Sequence, residues 1–542
     1  MTPTDTHPTP VVWSIAGSDS GAGAGLQADL RAFDAFALHG CTAVAALTAQ
    51  NSVAVERVQA VDTALLDAQL AALAGDLPPQ ALKTGLLGSV ANLRCVAARI
   101  DRLRQQAPVA LVVDPVWRAS TGAELGSPDL REALRAELLP RATVITPNRA
   151  EAAWLLGWPA AALDETGGVE AAAAALRALG PQAVVVTGGD ARGGTADALA
   201  LDWMATPEAC GWLAQPRVAT VHHHGSGCVF ASSLAAALAW GLCSADAVVL
   251  AKMATADGLR QARAAGRGAG PVRPQPGFAL RPGALPTLTQ QAPVSADPAP
   301  AFAPLGDPAL GLYAVVDSAE AVERVLAAGV RSVQLRIKQG TPAAAADALS
   351  AAVQRSVAAA RRVQARLFIN DHWALAIAHG AYGVHLGQED LLAMAPADLA
   401  ALREAGLRLG LSSHAFWEVC RARAHSPSYI ACGPIHATTT KPMPWRPQGN
   451  ANLAYWCRVL TEPVVAIAGM DEPRAQQAVR CGANGVAVLR GIAQAERPET
   501  VIAGLAAAIS AAAGQPPMPV PALPRPTLAG PVPALAPDPD VQ

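Results

Sequence analysis

Val333-Gln334-Leu335-Arg336-Ile337-Lys338 sets a glutamine, an arginine and a lysine at every second position of an apolar run. Strand side chains alternate between faces, so these three share one face. A guanidinium and an ammonium side by side repel each other unless an anion lies between them, and a diphosphate meets that need. The run is one of eight: Leu312–Val316, Ser332–Leu335, Arg366–Ile369, Gly383–Leu386, Arg408–Leu411, Tyr429–Cys432, Val464–Ile467 and Gly485–Leu489. Helical segments fill most of the gaps. Eight such units in about 200 residues specify a (β/α)8 TIM barrel, whose strand ends gather at one catalytic face.

The ends of the runs carry chemistry. Asp371 closes Phe-Ile-Asn370-Asp371, and Asp390 closes His-Leu-Gly-Gln-Glu-Asp390. Carboxylates at adjacent strand ends beside a cationic cluster suit a Mg²⁺ that also holds phosphate oxygens. The loop Gly433–Lys441 supplies Thr438, Thr440 and Lys441, hydroxyls and a cation suited to phosphate. Gly469 and Leu489-Arg490 end the last two runs, where barrels often bind phosphate through backbone N–H groups.

The first half reads differently. Val11–Ile15, Val109–Val113, Thr143–Ile145 and Ala183–Val186 are apolar runs between alanine-rich helical segments. That pattern predicts a parallel sheet with helices on both faces and ligands beyond the strand C-termini. A glycine-rich turn, Ala16–Gly25, leads from the first strand into a helix carrying Asp29, and lacks the Gly-Lys-Ser/Thr ending of a P-loop. Later come Thr48-Ala49-Gln50-Asn51, Asp114-Pro115-Val116, Thr146-Pro147-Asn148-Arg149-Ala150-Glu151 and His224-Gly225-Ser226-Gly227-Cys228. The last opens an apolar helix, so free N–H groups can face an anion, and the helix N-terminus is expected to lower the Cys228 thiol toward a base. Three consecutive histidines, His222 to His224, cannot all face one ion and are not read as a metal site.

The 542 residues allow two or three domains. The sequence predicts a first domain over 11–265, a Pro/Gly/Ala-rich linker over 266–308, a second domain over 309–513 and a disordered tail over 514–542. A formal charge of −2 without a basic run disfavours nucleic acid. Nine scattered cysteines, never C-x-x-C, argue against a disulfide framework and point to the cytoplasm. Gly225–Ala245 has no charge, but its Gly, Ser and Ala content reads as a buried helix and not a membrane span. Lysine occurs four times, at 83, 252, 338 and 441, against 37 arginines, so each lysine is a candidate for a site where arginine will not serve.

Over about residues 309 to 513 the motifs Gln-Leu-Arg-x-Lys, Phe-Ile-Asn-Asp, Gly-Val-His-Leu-Gly-Gln-Glu-Asp and Gly-Pro-Ile…Thr-x-Thr-Lys resemble thiamine-phosphate synthase. The resemblance implies that Gln334, Arg336, Lys338, Asn370, Ser412 and Lys441 hold a pyrimidine diphosphate, and that Asp371 and Asp390 bind Mg²⁺. It implies that Thr438, Thr440, Gly469, Leu489 and Arg490 hold a thiazole phosphate. Residues 11 to 265 resemble hydroxymethylpyrimidine/phosphomethylpyrimidine kinase, a ribokinase-like sandwich. By that resemblance Asp29, Gln50 and Leu86 meet the aminopyrimidine. Asp114, Asn148 and Glu151 organise Mg-ATP, Gly225 and Gly227 belong to the anion hole, and Cys228 activates the hydroxyl. The chain departs from these patterns at Ala468, Arg490, Leu86 and Thr187, where the families carry Gly, often Ser, Met and Lys. The implied protein is a bifunctional enzyme, possible as a homo-oligomer, in which the kinase product feeds the synthase. The alternatives are a first half that binds pyrimidine without phosphorylating it, and a second half that is another phosphate-binding barrel.

Overall fold

The computed structural model describes residues 9–118, 122, 124, 126–189, 198–293, 295, 297, 299–338, 340–341, 345–438, 444–512 and 514–533. The chain forms two units: Met1–Ala296 with Leu528–Pro537, and Asp297–Thr527 with Asp538–Gln542.

The first unit is built on ten strands: β1 (Val11–Asp19), β2 (His39–Gln50), β3 (Val55–Ala60), β4 (Ala81–Thr84), β5 (Ala110–Val113), β6 (Val144–Ile145), β7 (Ala183–Val186), β8 (Leu199–Ala205), β9 (Cys210–Pro216) and β10 (Thr287–Thr289). Their order is β10-β9-β8-β7-β6-β5-β4-β1-β2-β3. The run from β2 to β7 is parallel, whereas β3 at one edge and β8, β9 and β10 at the other are antiparallel. β4, β5 and β7 are buried along their whole length, which explains why they read as unbroken apolar runs. The antiparallel edges were not legible: β2 is rich in Ala and Thr, and β3 is mostly exposed. Helix Gly25–Ala35 packs with helix Ser226–Ala239, which packs in turn with Ser244–Gln261, while Thr63–Asp76 packs with Val90–Arg104. Gly225–Ala245 is thus not one helix but the helix Ser226–Ala239, buried from Val229 onward, a turn and the start of Ser244–Gln261, and among the described residues no helix is long and apolar enough to cross a membrane.

The second unit is a closed barrel of eight parallel strands: β11 (Gly311–Val316), β12 (Ser332–Leu335), β13 (Arg366–Asn370), β14 (Gly383–Leu386), β15 (Arg408–Ser413), β16 (Tyr429–Cys432), β17 (Val464–Ile467) and β18 (Gly485–Val488). All eight runs read from the sequence are present. Tyr313, Phe368 and Tyr429 fill the interior with rings 5.2 to 6.0 Å apart. Their bulk needs small partners: a Cβ on Gly410 would lie 2.1 Å from the Tyr429 ring.

The linker and tail differ from expectation. Residues 266–308 are not a free connector, because Val272 and Phe278 are buried and β10 pairs with β9, while Phe302 and Leu305 are buried as part of the second unit. In the tail, Asn452 bonds both backbone polar groups of Arg525, and Thr527 and Val532 are buried. Isolated apolar anchors between prolines leave no periodic signal, so composition alone reads them as unstructured.

Candidate active sites

At the barrel mouth the sequence-predicted acids meet. Asp371 follows β13 with a left-handed φ of 62°, its N–H bonded to the His385 carbonyl on β14. Its carboxyl hydrogen-bonds that of Asp390, and burial, first, then Asp390 push it up to about 6 against the pull of Arg336 and a bond from Asn370. The pair thus places two carboxyls side by side next to an arginine. Among the described residues no cluster of three or more His, Cys, Asp or Glu is placed to hold a metal ion.

Gln334 is buried, Arg336 half-buried and Lys338 exposed. Ser412 Oγ lies 2.9 Å from His385 Nε2. Arg490 reaches Thr438 Oγ1 at 3.5 Å, and Leu489 caps the short helix that begins at Arg490. Gly469 has φ 69°, and a Cβ there would meet His436 Cβ at 2.6 Å. Thr440 and Lys441 lie outside the described residues. Sequence reading missed His385, Tyr313 and Tyr429, which join Gln334 to Ser412. The available signal was a histidine at an inward position of an otherwise apolar run.

Ala468 holds φ 84°, a region that costs an L-residue about 1 kcal/mol or more and glycine almost nothing. Ala468→Gly is therefore expected to stabilise the barrel by about 1 kcal/mol in urea unfolding. An unchanged midpoint would mean that the turn relaxes around the methyl group.

In the first unit, β1 ends at Asp19, whose carboxylate accepts from the N–H groups of Gly21, Gly23 and Ala24 at 2.8 to 2.9 Å. Burial opposes its charge, but His224 at 3.3 Å and these N–H groups hold it below the usual carboxylate range. Glycine is needed here, since a Cβ on Gly23 would meet the His224 ring at 1.9 Å. Gln50 Nε2 lies 3.5 Å from His224 Nε2 beside a cleft of about 340 Å³ lined by Gly21, Gly23, Asn51 and Arg267. The sequence reading named neither Asp19, in the glycine-rich turn, nor His224, in the histidine run, as a site residue.

Gly225 turns the chain with φ 80° into the N-terminus of helix Ser226–Ala239, and a Cβ on Gly227 would meet nothing within 4 Å. The Ser226 N–H is taken by the His223 carbonyl at 3.2 Å, and open space lies beside Gly227. Lys83, fully buried, lies 3.1 Å from Asp29 and 3.6 Å from Asp114. Burial opposes the ammonium, yet Asp29, Cys228 and Asp114 raise it above the ordinary lysine value. Asp114 is pushed up to about 6 by burial, against Lys83 and a bond from Cys228.

Three expectations change. Asp29, expected in the pyrimidine wall, is fully buried, and its oxygens bond Ser14, Ser232 and Lys83. The Cys228 thiol is not lowered: burial, first, and the nearby carboxylates push it up to about 12 despite Lys83. Asn148 and Glu151 bond each other's backbone N–H at 2.8 and 2.9 Å as a helix capping box, so their side chains are partly committed to the fold. Leu86 is buried against the Cα of the Gly17 turn, with 3.2 Å available to a Cβ there.

A glycine turn over a parallel sheet and an acid pair beside an arginine at a barrel mouth define a two-site enzyme that transfers phosphorylated groups. Residues 19–273 match the family described as phosphomethylpyrimidine kinase, and 312–492 that described as thiamine monophosphate synthase. A Synechococcus elongatus hydroxymethylpyrimidine/phosphomethylpyrimidine kinase is 43% identical over 263 residues, 48% of this chain and 96% of that one. An Escherichia coli thiamine-phosphate synthase is 50% identical over 187 residues, 34% of this chain and 85% of that one. A Bacillus subtilis pyridoxal kinase crystallised with ADP shares 32% identity, with 49% of this chain and 97% of that one covered, at a TM-score of 0.45. The chain belongs to both the hydroxymethylpyrimidine/phosphomethylpyrimidine kinase and the thiamine-phosphate synthase families, fused into one bifunctional enzyme of thiamine biosynthesis. A first half that binds without phosphorylating is not favoured, because likeness to the kinase runs across that relative's whole length.

Proposed function

We propose that the first unit phosphorylates hydroxymethylpyrimidine and its monophosphate with ATP, and that the barrel then joins the diphosphate to a thiazole phosphate, releasing diphosphate. The observation that carries this reading is the meeting of Arg336, Asp371 and Asp390 at the barrel mouth.

In the kinase, Gln50 and Leu86 line the pyrimidine, and the glycine turn of Gly225 and Gly227 receives the moving phosphoryl group beside Cys228. Asp114, Asn148 and Glu151 order the nucleotide. A thiol held near 12 is protonated at neutral pH, so Cys228 cannot begin as a thiolate. Phosphoryl transfer through a loose transition state needs little early base; as the new bond forms, the hydroxyl proton passes to the Cys228 sulfur while the thiol gives its own proton to the Asp114 carboxylate it is bonded to. Asp29 contributes by fixing Lys83.

In the synthase, Gln334, Asn370 and Ser412 hold the pyrimidine diphosphate. Arg336, Lys338 and Lys441 meet the charge that grows on the departing diphosphate as the C–O bond breaks. Thr438, Thr440, Gly469, Leu489 and Arg490 position the thiazole phosphate, whose ring nitrogen then needs only alignment. Asp371 and Asp390 fit a Mg²⁺, because two adjacent carboxyls at the strand ends, one raised by burial and by the other, suit a cation between them, and the ion when bound would neutralise the leaving group.

The test is a coupled assay with hydroxymethylpyrimidine, thiazole phosphate and Mg-ATP. Cys228→Ala is expected to cut product formation about a hundredfold or more, and supplied pyrimidine diphosphate to restore it. If thiamine phosphate fails to form from supplied diphosphate in the unmodified chain, the synthase reading falls.

A further inference from the structure

We infer that a buried hydrogen-bond chain inside the barrel makes the synthase accept an aminopyrimidine edge and reject its oxo counterpart. This rests on the reading above that Gln334 and Ser412 face the pyrimidine.

The chain has four links. Gln334 Nε2 lies 3.3 Å from Tyr313 Oη, and Tyr313 Oη lies 2.9 Å from Tyr429 Oη. Tyr429 Oη lies 2.8 Å from His385 Nδ1, and His385 Nε2 lies 2.9 Å from Ser412 Oγ. Gln334, Tyr313, Tyr429 and His385 are all buried. The His385 ring is stacked on Tyr429 with 23° between planes, so neither ring swings freely.

Hydrogen counting gives the chain a direction. An amide N–H only donates, so the Tyr313 oxygen accepts from Gln334 and its hydrogen goes to the Tyr429 oxygen. The Tyr429 hydrogen then has Nδ1 of His385 as its acceptor. The imidazole carries its proton on Nε2 and donates it to Ser412, whose own hydrogen is left to point away from the chain. If Nδ1 also held a proton, one tyrosine hydrogen would face no acceptor inside a closed barrel, which is strongly disfavoured.

The two ends therefore differ. Gln334 keeps Oε1 as an acceptor, and Ser412 offers a donor. A 4-aminopyrimidine presents an N–H donor next to a ring-nitrogen acceptor, the matching pair. The 4-oxo form presents an acceptor next to a ring N–H. To bind it, the glutamine amide must turn over and every link must reverse, so selectivity is held by the whole chain and not by the two contact residues alone.

The test uses the full-length protein, with kcat and KM measured for the 4-amino pyrimidine diphosphate and its 4-oxo analogue. The unmodified enzyme is expected to favour the amino form by about a hundredfold or more. Tyr429→Phe, which removes one oxygen and keeps the ring, is expected to lower that ratio about tenfold through the pyrimidine KM, with the thiazole phosphate KM within about twofold. In a Ser412→Ala background it should add nothing further. Tyr313→Phe severs the adjacent link and serves should Tyr429→Phe fold poorly. Nitrogen-15 NMR of labelled histidine, with His385→Asn for assignment, should find the proton on Nε2. A proton on Nδ1, or a ratio unmoved by both tyrosine variants while Ser412→Ala raises the pyrimidine KM, overturns the chain and leaves the site reading intact. If Ser412→Ala leaves that KM unmoved, the site reading itself fails.

Discussion

Asp371→Asn makes the barrel more stable at neutral pH and removes roughly a thousandfold of its synthase turnover. Both effects have one cause. The Asp371 carboxyl is pushed up to about 6 by burial and by Asp390, whereas an unfolded chain ionises near 3.9. The folded state therefore binds more protons than the unfolded state between these values, so stability falls as pH rises through that window and stays lower above it. Asparagine cannot ionise, which removes the penalty above pH 6 and changes little below pH 4. Because the group is only partly enclosed, the gain at pH 7 is discounted to about 1 kcal/mol. Catalysis has the opposite sign: the ionised pair is the working form, so turnover is lost as pH falls through about 6. Raising the Mg²⁺ concentration competes with the proton and moves that limb to lower pH. Urea unfolding at pH 4 and 7, with a pH–rate profile at two Mg²⁺ concentrations, checks all three. A variant that is less stable at pH 7 would show the acids to be a structural pair.

Lys83→Met destabilises the kinase unit by about 3–5 kcal/mol, since Asp29 would remain fully buried without its cation. Two serines also bond Asp29, but hydroxyls cannot neutralise a carboxylate there. The remedy identifies the mechanism. Asp29→Asn added to Lys83→Met removes the stranded charge and is expected to recover most of the loss, a coupling seen in a double-mutant cycle. Kinase turnover should not recover with it, because Lys83 also stands 3.6 Å from Asp114 and favours the ionised form of both Asp114 and Cys228. Stability recovered together with full kinase activity would confine Lys83 to the fold.

Much of this protein was legible before any coordinates. The eight barrel strands were found because each is short, apolar and followed by a polar terminus, and closure then brings those termini together. Arg336, Asp371 and Asp390 were readable as a site because chemically costly residues sat where a barrel gathers its strand ends. The antiparallel edges of the first sheet were not, since β3 is solvated and β10 lies in a proline-rich stretch that hides its two neighbours in burial, Val272 and Phe278. Asp29 was visible as an acid on a helix, but only the folded chain shows that it pairs with Lys83.

The sequence by itself determined the architecture of both units and the residue types at their catalytic ends, because periodicity and local motif are properties of neighbours in the chain. Only the tertiary structure decided the protonation of Cys228, the sealing of Asp29 and the run from Gln334 to Ser412. Burial and long-range charge set those, and His385 meets partners 27 and 44 residues away that no local pattern connects.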